Sequence, residues 1–322
     1  MTESMRAALY DRYGPPEVIY EGRRPIPERG EGRILVRVLA SSVNGGDLSG
    51  REGSLGWLGA LALGPFPKAV GLDFVGDVVE AEANVYGPAV GDRVWGVLPR
   101  AFGSMAEYVS VPVDCLVRVP EGLDPVHAAA LPVVTTAITA LRDKARLRPG
   151  ERLLVRGATG GVGVGGVQLG KAYGGHVTAL AREENLELAR ELGADRAFDY
   201  RTTSPADLGS FDVVLDTVGT DLPAYRRLLA PGGRMVTISF DLTRPWRSLG
   251  YIVGSTVFGP RRVRFFSGNP RRELFEELNA LVEAGHLRPV VDRVYSLSEV
   301  AGAHRALESG GVRGKIIVDT ST

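Results

Sequence analysis

Residues Gly157-Ala158-Thr159-Gly160-Gly161-Val162-Gly163 follow directly on the apolar run Leu153–Val155, and a helical pattern begins at once. Glycines at a strand-to-helix turn let the backbone bend tightly and approach a ligand. The free amides and positive end of the following helix then stabilise negative charge. This arrangement suits a pyrophosphate, as carried by a dinucleotide. A glycine cluster alone also fits an ordinary tight turn. The strand before it, the helix after it and the alternating units that follow favour the nucleotide, so Gly157, Thr159, Gly160, Gly161, Val162 and Gly163 are the expected phosphate contacts.

The end of the next strand, His176–Ala181, bears on which dinucleotide is bound. An acid there commonly reads the ribose hydroxyls of NAD, whereas a 2′-phosphate prefers a cation. The strand closes with Arg182, which supplies charge-assisted hydrogen bonds, and Lys171 on the preceding helix offers a second positive charge. NADPH is the expected cofactor. Two alternatives stay open: both cations are solvated helix-surface side chains, or Glu183 or Glu184 reads the ribose.

The elements that must position these groups fall into two styles. The first third shows short β-branched runs, Arg33–Ala40, Asp73–Glu80, Arg93–Val97 and Ala106–Val111, separated by Gly, Pro, Asn and Asp. From about Asp124 strands and helices alternate, which favours a parallel sheet covered on both faces. Its strand candidates are Arg152–Arg156, His176–Ala181, Arg196–Phe198, Asp212–Asp216, Arg234–Ser239 and Val263–Phe266. The helix candidates are Val162–Tyr173, Glu183–Leu192, Leu222–Leu229 and Arg271–Ala284. The tail, with helix Leu297–Leu307 and strand Lys315–Val318, is too small to fold alone and is expected to dock on the first domain. The fold class is therefore α/β, with a β-rich domain over 1–123 and 286–322 and a doubly wound domain over 124–285.

The totals narrow the function classes. Lys plus Arg and Asp plus Glu each number 38, so no excess charge points to nucleic acid or an anionic membrane. Cys115 is the sole cysteine, which excludes an intrachain disulfide and a multi-thiolate zinc site, and fits a reducing, cytoplasmic setting. The most apolar stretches, Leu55–Phe66 and Ala128–Leu141, are shorter than the roughly 20 residues a membrane span needs. Residues Met1–Tyr10 lack the pattern of a secretory signal.

Further segments carry a resemblance. They are Ser42-Val43-Asn44-Gly45-Gly46-Asp47, Gly71-Leu72-Asp73-Phe74-Val75-Gly76, Val90-Gly91-Asp92-Arg93-Val94, Arg148-Pro149-Gly150-Glu151, Asp216-Thr217-Val218-Gly219 and Gly314-Lys315-Ile316-Ile317-Val318. With the glycine turn, they make the chain resemble the medium-chain dehydrogenase/reductases, and among them the quinone oxidoreductase-like branch, over nearly its whole length. The resemblance implies a GroES-like catalytic domain interrupted by a Rossmann domain, and a homodimer. It places Asn44 near the nicotinamide and substrate with Asp47 on the same turn. Thr136 would lie beside the cofactor, Tyr200 near the adenosine and Lys315 reaching in from the tail. Val218, Ser239, Phe240 and Ser267, at or after strand ends, complete the expected cofactor contacts. Asn44 as a plain helix cap and Tyr200 as a strand-end aromatic remain alternatives.

The departure from the zinc alcohol dehydrogenases of the same superfamily is informative. Those carry a cysteine near the position of Gly45–Gly46 and a His-Glu pair where this chain has Leu72-Asp73. No metal is expected, and His127, His176, His286 and His304 fall on different predicted elements. Without a Lewis acid, the favoured reaction is hydride addition to an activated C=C bond or a quinone, whose product anion is delocalised and needs only hydrogen-bond donors. The substrate is then a small enone or quinone. Alternatives are a zinc-independent alcohol or carbonyl dehydrogenase and a non-catalytic NADPH-binding protein. No proton donor is identifiable from the sequence; Tyr10 and Tyr251 are candidates, with packing or surface tyrosines as the alternative for each. The apolar segment 55–61 is either a hydrophobic lid or a buried helix.

Overall fold

The computed structural model describes residues 3–54, 64–82, 87–99, 101–240, 250–255, 262–268 and 270–321. The apolar segment 55–61 lies outside them. The backbone groups into two units: Met1–Pro132 with Asn269–Glu283 and Arg288–Thr322, and Val133–Gly268 with Ala284–Leu287.

The first unit is β-rich. Its strands are β1 (Ser4–Tyr10), β2 (Ile19–Pro25), β3 (Arg33–Ser42), β4 (Lys68–Ala69), β5 (Asp73–Glu80), β6 (Arg93–Val97), β7 (Tyr108–Pro112) and β8 (Leu116–Arg118). The tail adds two more, numbered β15 (Val291–Ser296) and β16 (Lys315–Asp319) after the strands of the second unit. One sheet runs β2-β1-β4, and a second runs β15-β16-β3-β5-β6-β8 with β7 also on β3. Strand β16 pairs antiparallel with β3, Ile317 opposite Ser42, which is how the tail docks. On the second sheet, Ile34, Val36, Val38, Phe74, Val94, Val111 and Leu116 from β3, β5, β6, β7 and β8 form a buried apolar cluster. Burial of this kind is worth roughly 25 cal/mol per Å² of apolar surface and drives the closure of the unit.

The second unit holds β9 (Arg152–Arg156), β10 (His176–Ala181), β11 (Arg196–Asp199), β12 (Phe211–Asp216), β13 (Leu229–Thr237) and β14 (Val263–Phe265). Their order is β11-β10-β9-β12-β13-β14 and every pairing is parallel. This is the Rossmann order, with the reversal beside the first strand. Leu153, Leu154 and Val155, like Val213, Val214 and Leu215, are fully buried one after another rather than alternately. Such continuous runs belong to strands covered on both faces. The α/β class, with GroES-like and Rossmann-like units, is therefore the architecture of the chain.

Two boundaries differ from the sequence-based expectation. The helix expected over 271–284 spans Arg272–Glu283 and groups with the first unit, not with the Rossmann unit. Arg272 Nη2 donates to the Val113 carbonyl at 2.7 Å and Asn279 Nδ2 to the Arg118 carbonyl at 2.7 Å, while Phe275 and Leu278 are buried. The helix expected over 222–229 stops at Arg226, and β13 begins at Leu229, which pairs with Phe211 across a register shift. That pairing overrides local helix propensity. No helix among the described residues is long and apolar enough to cross a membrane.

Candidate functional site

Parallel pairing gathers all six strand ends of the second unit along one edge, and most of the expected cofactor residues follow from that. The glycine turn leaves β9, and helix Gly161–Ala172 starts immediately with Gly160 as its N-cap. The Ala158 amide donates to the Leu180 carbonyl at 3.0 Å, tying the turn to β10, and the Gly160 amide donates to the Gly157 carbonyl at 3.0 Å. The amides of Gly161, Val162 and Gly163 occupy the first helical turn, where a helix offers them no internal acceptor. Gly163 is required by close approach: a Cβ there would lie 2.0 Å from the Gly157 carbonyl oxygen. Free amides, a positive helix end and absent side chains fit a pyrophosphate.

Arg182 stands immediately after β10, and its Nε donates to Tyr200 Oη at 3.3 Å just beyond β11. Glu184 lies between Arg182 Nη1 at 3.8 Å and Arg201 Nη2 at 3.2 Å. Tyr200 is 47% exposed, so its ring is available to a ligand. Arg201 was missed by the sequence reading; its signal was adjacency to Tyr200. Its backbone amide and Nε both bond Asp199. Val218 follows β12, Ser239 and Phe240 follow β13, and Ser267 follows β14. Thr136 joins the edge, because its hydroxyl lies 3.6 Å from where a Cβ on Gly268 would be.

Lys171 does not belong to this group, and the expectation of a second phosphate-binding cation there is corrected. It sits in the last turn of helix Gly161–Ala172, ten residues past its start and so roughly 15 Å along the axis. Its Nζ bonds Asp195 Oδ1 at 2.7 Å instead.

In the first unit the end of β3 and the starts of β5 and β16 converge, and the residue types there make a closed polar hub. Asn44 is the N-cap of helix Gly45–Glu52. Its Nδ2 donates to the Ser42 carbonyl at 2.9 Å and to Asp73 Oδ2 at 3.0 Å, while its Oδ1 accepts from Lys315 Nζ at 2.7 Å. A flipped amide would aim two donors at each other on the Lys315 side, so the orientation is determined by its partners. Both amide hydrogens are thereby engaged. Asp73 also accepts from the Ser42 amide at 2.7 Å and hydroxyl at 2.6 Å. It was missed as a site residue; the signal was an acid opening an apolar strand.

Asp47 is fully buried, with Oδ2 accepting from the Asn44 amide and Oδ1 from the Gly71 amide, each at 2.8 Å. Burial pushes its carboxyl up to about 7, with the charge of Asp73 adding; the two amides and Lys315 pull the other way. Lys315 was expected to reach the cofactor from the tail. It is buried, its Nζ donating to the Val43 carbonyl at 2.6 Å as well as to Asn44. Burial lowers its pKa, and Asp73 and Asp47 oppose that.

The remaining candidates each have a partner within their own surroundings. Tyr10 is buried and its hydroxyl donates to the Gly50 carbonyl at 3.2 Å, a packing role. Tyr251 is held by Arg226, whose Nη1 is 3.5 Å from its hydroxyl. Cys115 is a buried free thiol pushed up to about 11, first by burial and then by Asp114. No group of three or more His, Cys, Asp or Glu side chains with metal-binding geometry occurs among the described residues.

Comparison with known proteins places this geometry. Residues 30–121 match the family model of the alcohol dehydrogenase GroES-like domain, and residues 192–318 match that of the zinc-binding dehydrogenases. The chain is 33% identical to a 2-methylene-furan-3-one reductase of Solanum lycopersicum, over 98% of this chain and 79% of that protein. It is 32% identical to a chloroplastic NADPH-dependent alkenal/one oxidoreductase of Arabidopsis thaliana, over 98% and 80%. The solved quinone oxidoreductase of Coxiella burnetii superposes with a TM-score of 0.89 at 30% identity, covering 99% of this chain and all of that one. The chain belongs to the medium-chain dehydrogenase/reductase superfamily, in its quinone oxidoreductase-like branch.

Proposed function

We propose that this protein is a zinc-independent, NADPH-dependent oxidoreductase that reduces the activated C=C bond of enones, or quinones. The observation that carries the zinc-independent part is the state of Asp73. Where zinc-using relatives have a His-Glu pair, Leu72 offers no ligand atom and both Asp73 oxygens are engaged by Ser42 and Asn44. The relatives named above as an alkenal/one oxidoreductase, a furanone reductase and a quinone oxidoreductase support the acceptor class.

On this reading the amides of Gly161–Gly163 hold the diphosphate, Arg182 and Tyr200 meet the adenosine 2′-phosphate, and Thr136, Val218, Ser239, Phe240 and Ser267 line the rest of the edge. When bound, the reduced nicotinamide supplies a hydride to the β-carbon of an enone or to a quinone. Asn44 serves as a brace, not as a free donor, because its hydrogens are already engaged. Lys315 and Asp47 hold that brace from either side. A reducing, cytoplasmic setting accords with the single buried thiol Cys115. Pairing of β14 edges, where Arg264 and Phe265 face outward, would give a homodimer; a monomer in sedimentation would remove that part. The test of the activity is NADPH oxidation against a panel of enones, quinones and saturated ketones. Turnover of the first two classes is expected, and turnover confined to saturated ketones would overturn the assignment.

A further inference from the structure

One buried ion pair at the sheet edge has no part in the roles assigned so far. Strands β9 and β12 are neighbours with Asp216 in register with Arg156, so a cation and an acid fall at the same carboxyl end. Arg156 Nη1 lies 2.7 Å from Asp216 Oδ1 and 2.8 Å from the Thr220 carbonyl. Its guanidinium stacks 3.5 Å from the centre of the Tyr225 ring. Asp216 is wholly buried.

The pair reaches into two loops. Asp216 Oδ1 accepts from the Val218 amide at 3.2 Å and Oδ2 from the Gly219 amide at 3.0 Å. Thr217 Oγ1 donates back to the Arg156 carbonyl at 2.8 Å, one residue before the glycine turn. Thr237 Oγ1 stands 3.0 Å from Asp216 Oδ2 and 2.6 Å from the Ser239 carbonyl, and its single proton serves one of them. A Cβ on Gly219 would lie 2.6 Å from the Phe240 amide nitrogen, so the loop after β12 rests directly on the loop after β13.

A parallel sheet does not need such a pair, since apolar residues of similar size fill buried positions without the cost of removing charge from water. The hydrogen bonds instead converge on residues 217–220 and on Ile238 and Ser239 after β13. In the strand order, β10 and β11 carry the adenosine-side residues Arg182 and Tyr200, and β9 carries the diphosphate turn. Strands β12 and β13 lie on the opposite side of β9, which leaves them the nicotinamide half. We propose that Arg156 and Asp216 are positioning residues that clamp the loops after β12 and β13 and so shape the nicotinamide half of the cofactor cradle. This rests on the NADPH reading above.

The test compares Arg156→Met and Arg156→Lys with the unaltered protein by titrating NADPH and adenosine 2′,5′-bisphosphate, a fragment that lacks the nicotinamide half. For Arg156→Met, NADPH binding is expected to weaken about tenfold, a loss of one anchored contact in affinity terms, with bisphosphate binding within about twofold of normal. Arg156→Lys restores the charge and can still donate toward Asp216 and Thr220 from one nitrogen, but it lacks the flat guanidinium that stacks on Tyr225, and is expected to recover about half of the loss on a logarithmic scale. Unchanged NADPH affinity in folded Arg156→Met, or parallel loss of both ligands, would overturn the proposal; the second outcome marks a general brace. If Arg156→Met does not fold, Arg156→Lys decides by the same comparison. Failure of the unaltered protein to bind NADPH would instead overturn the cofactor reading itself.

Discussion

Asp47 illustrates how one buried residue sets a pH dependence opposite to the usual carboxylate. Its pKa rises on folding from the ordinary 3.8 to about 7, so the folded state holds a proton that the unfolded state releases between those values. Stability from this group therefore falls as pH rises through that window, by up to roughly 4 kcal/mol. Asp47→Asn, which does not titrate, escapes the loss. It leaves one of the two amides facing an NH₂ group, a fixed penalty of about 1–3 kcal/mol. The variant is expected to be clearly less stable than the natural protein at pH 5, with the gap closing or reversing by pH 8. Urea midpoints at the two pH values measure this, and a gap that is constant or widens with pH would contradict the assignment. The type of Asp47 and its place after Asn44 were legible in the sequence. Its partner Gly71 and its neighbours Asp73 and Lys315 were not read as one cluster, because three strand ends distant in the chain must meet to form it.

At the scale of elements, reading was most successful where one strand or helix decides the matter alone. Strands β5, β6, β9 and β10 fall where their apolar runs indicate, and helix Gly161–Ala172 begins within one residue of its expected start. Reading failed where a neighbour decides. Leu229 is a strand residue only because Phe211 lies beside it, and the Arg156–Asp216 pair exists only because β9 and β12 are adjacent. Lys171 shows the same limit from another side: residue type suggested a phosphate ligand, but helical rise carries it to the far end. Arg182 remains the cation placed by its strand. With it replaced by alanine, the KM for NADPH is expected to rise about tenfold or more while that for NADH stays within about twofold, since only the former carries the 2′-phosphate. Equal changes for both coenzymes would shift the selecting role to Arg201 or Tyr200.

At the scale of the molecule, the division into a β-rich unit and a Rossmann-like unit was legible from the change in hydrophobic rhythm near Asp124. The allegiance of helix Arg272–Glu283 was not, because its amphipathic pattern does not say which surface its apolar face will cover. The two units supply separate parts of the proposed chemistry, a nucleotide-binding edge and a polar hub centred on Asn44. The hub includes Asp73, both of whose carboxylate oxygens are engaged within the protein by Ser42 and Asn44, and the proposed zinc independence rests on that. The most direct test is therefore steady-state turnover of NADPH with an enone and a quinone by protein treated with a strong chelator, with zinc content measured on the same sample. Undiminished turnover with zinc far below one equivalent is the predicted result. Stoichiometric zinc whose removal abolishes activity and whose return restores it would contradict the account.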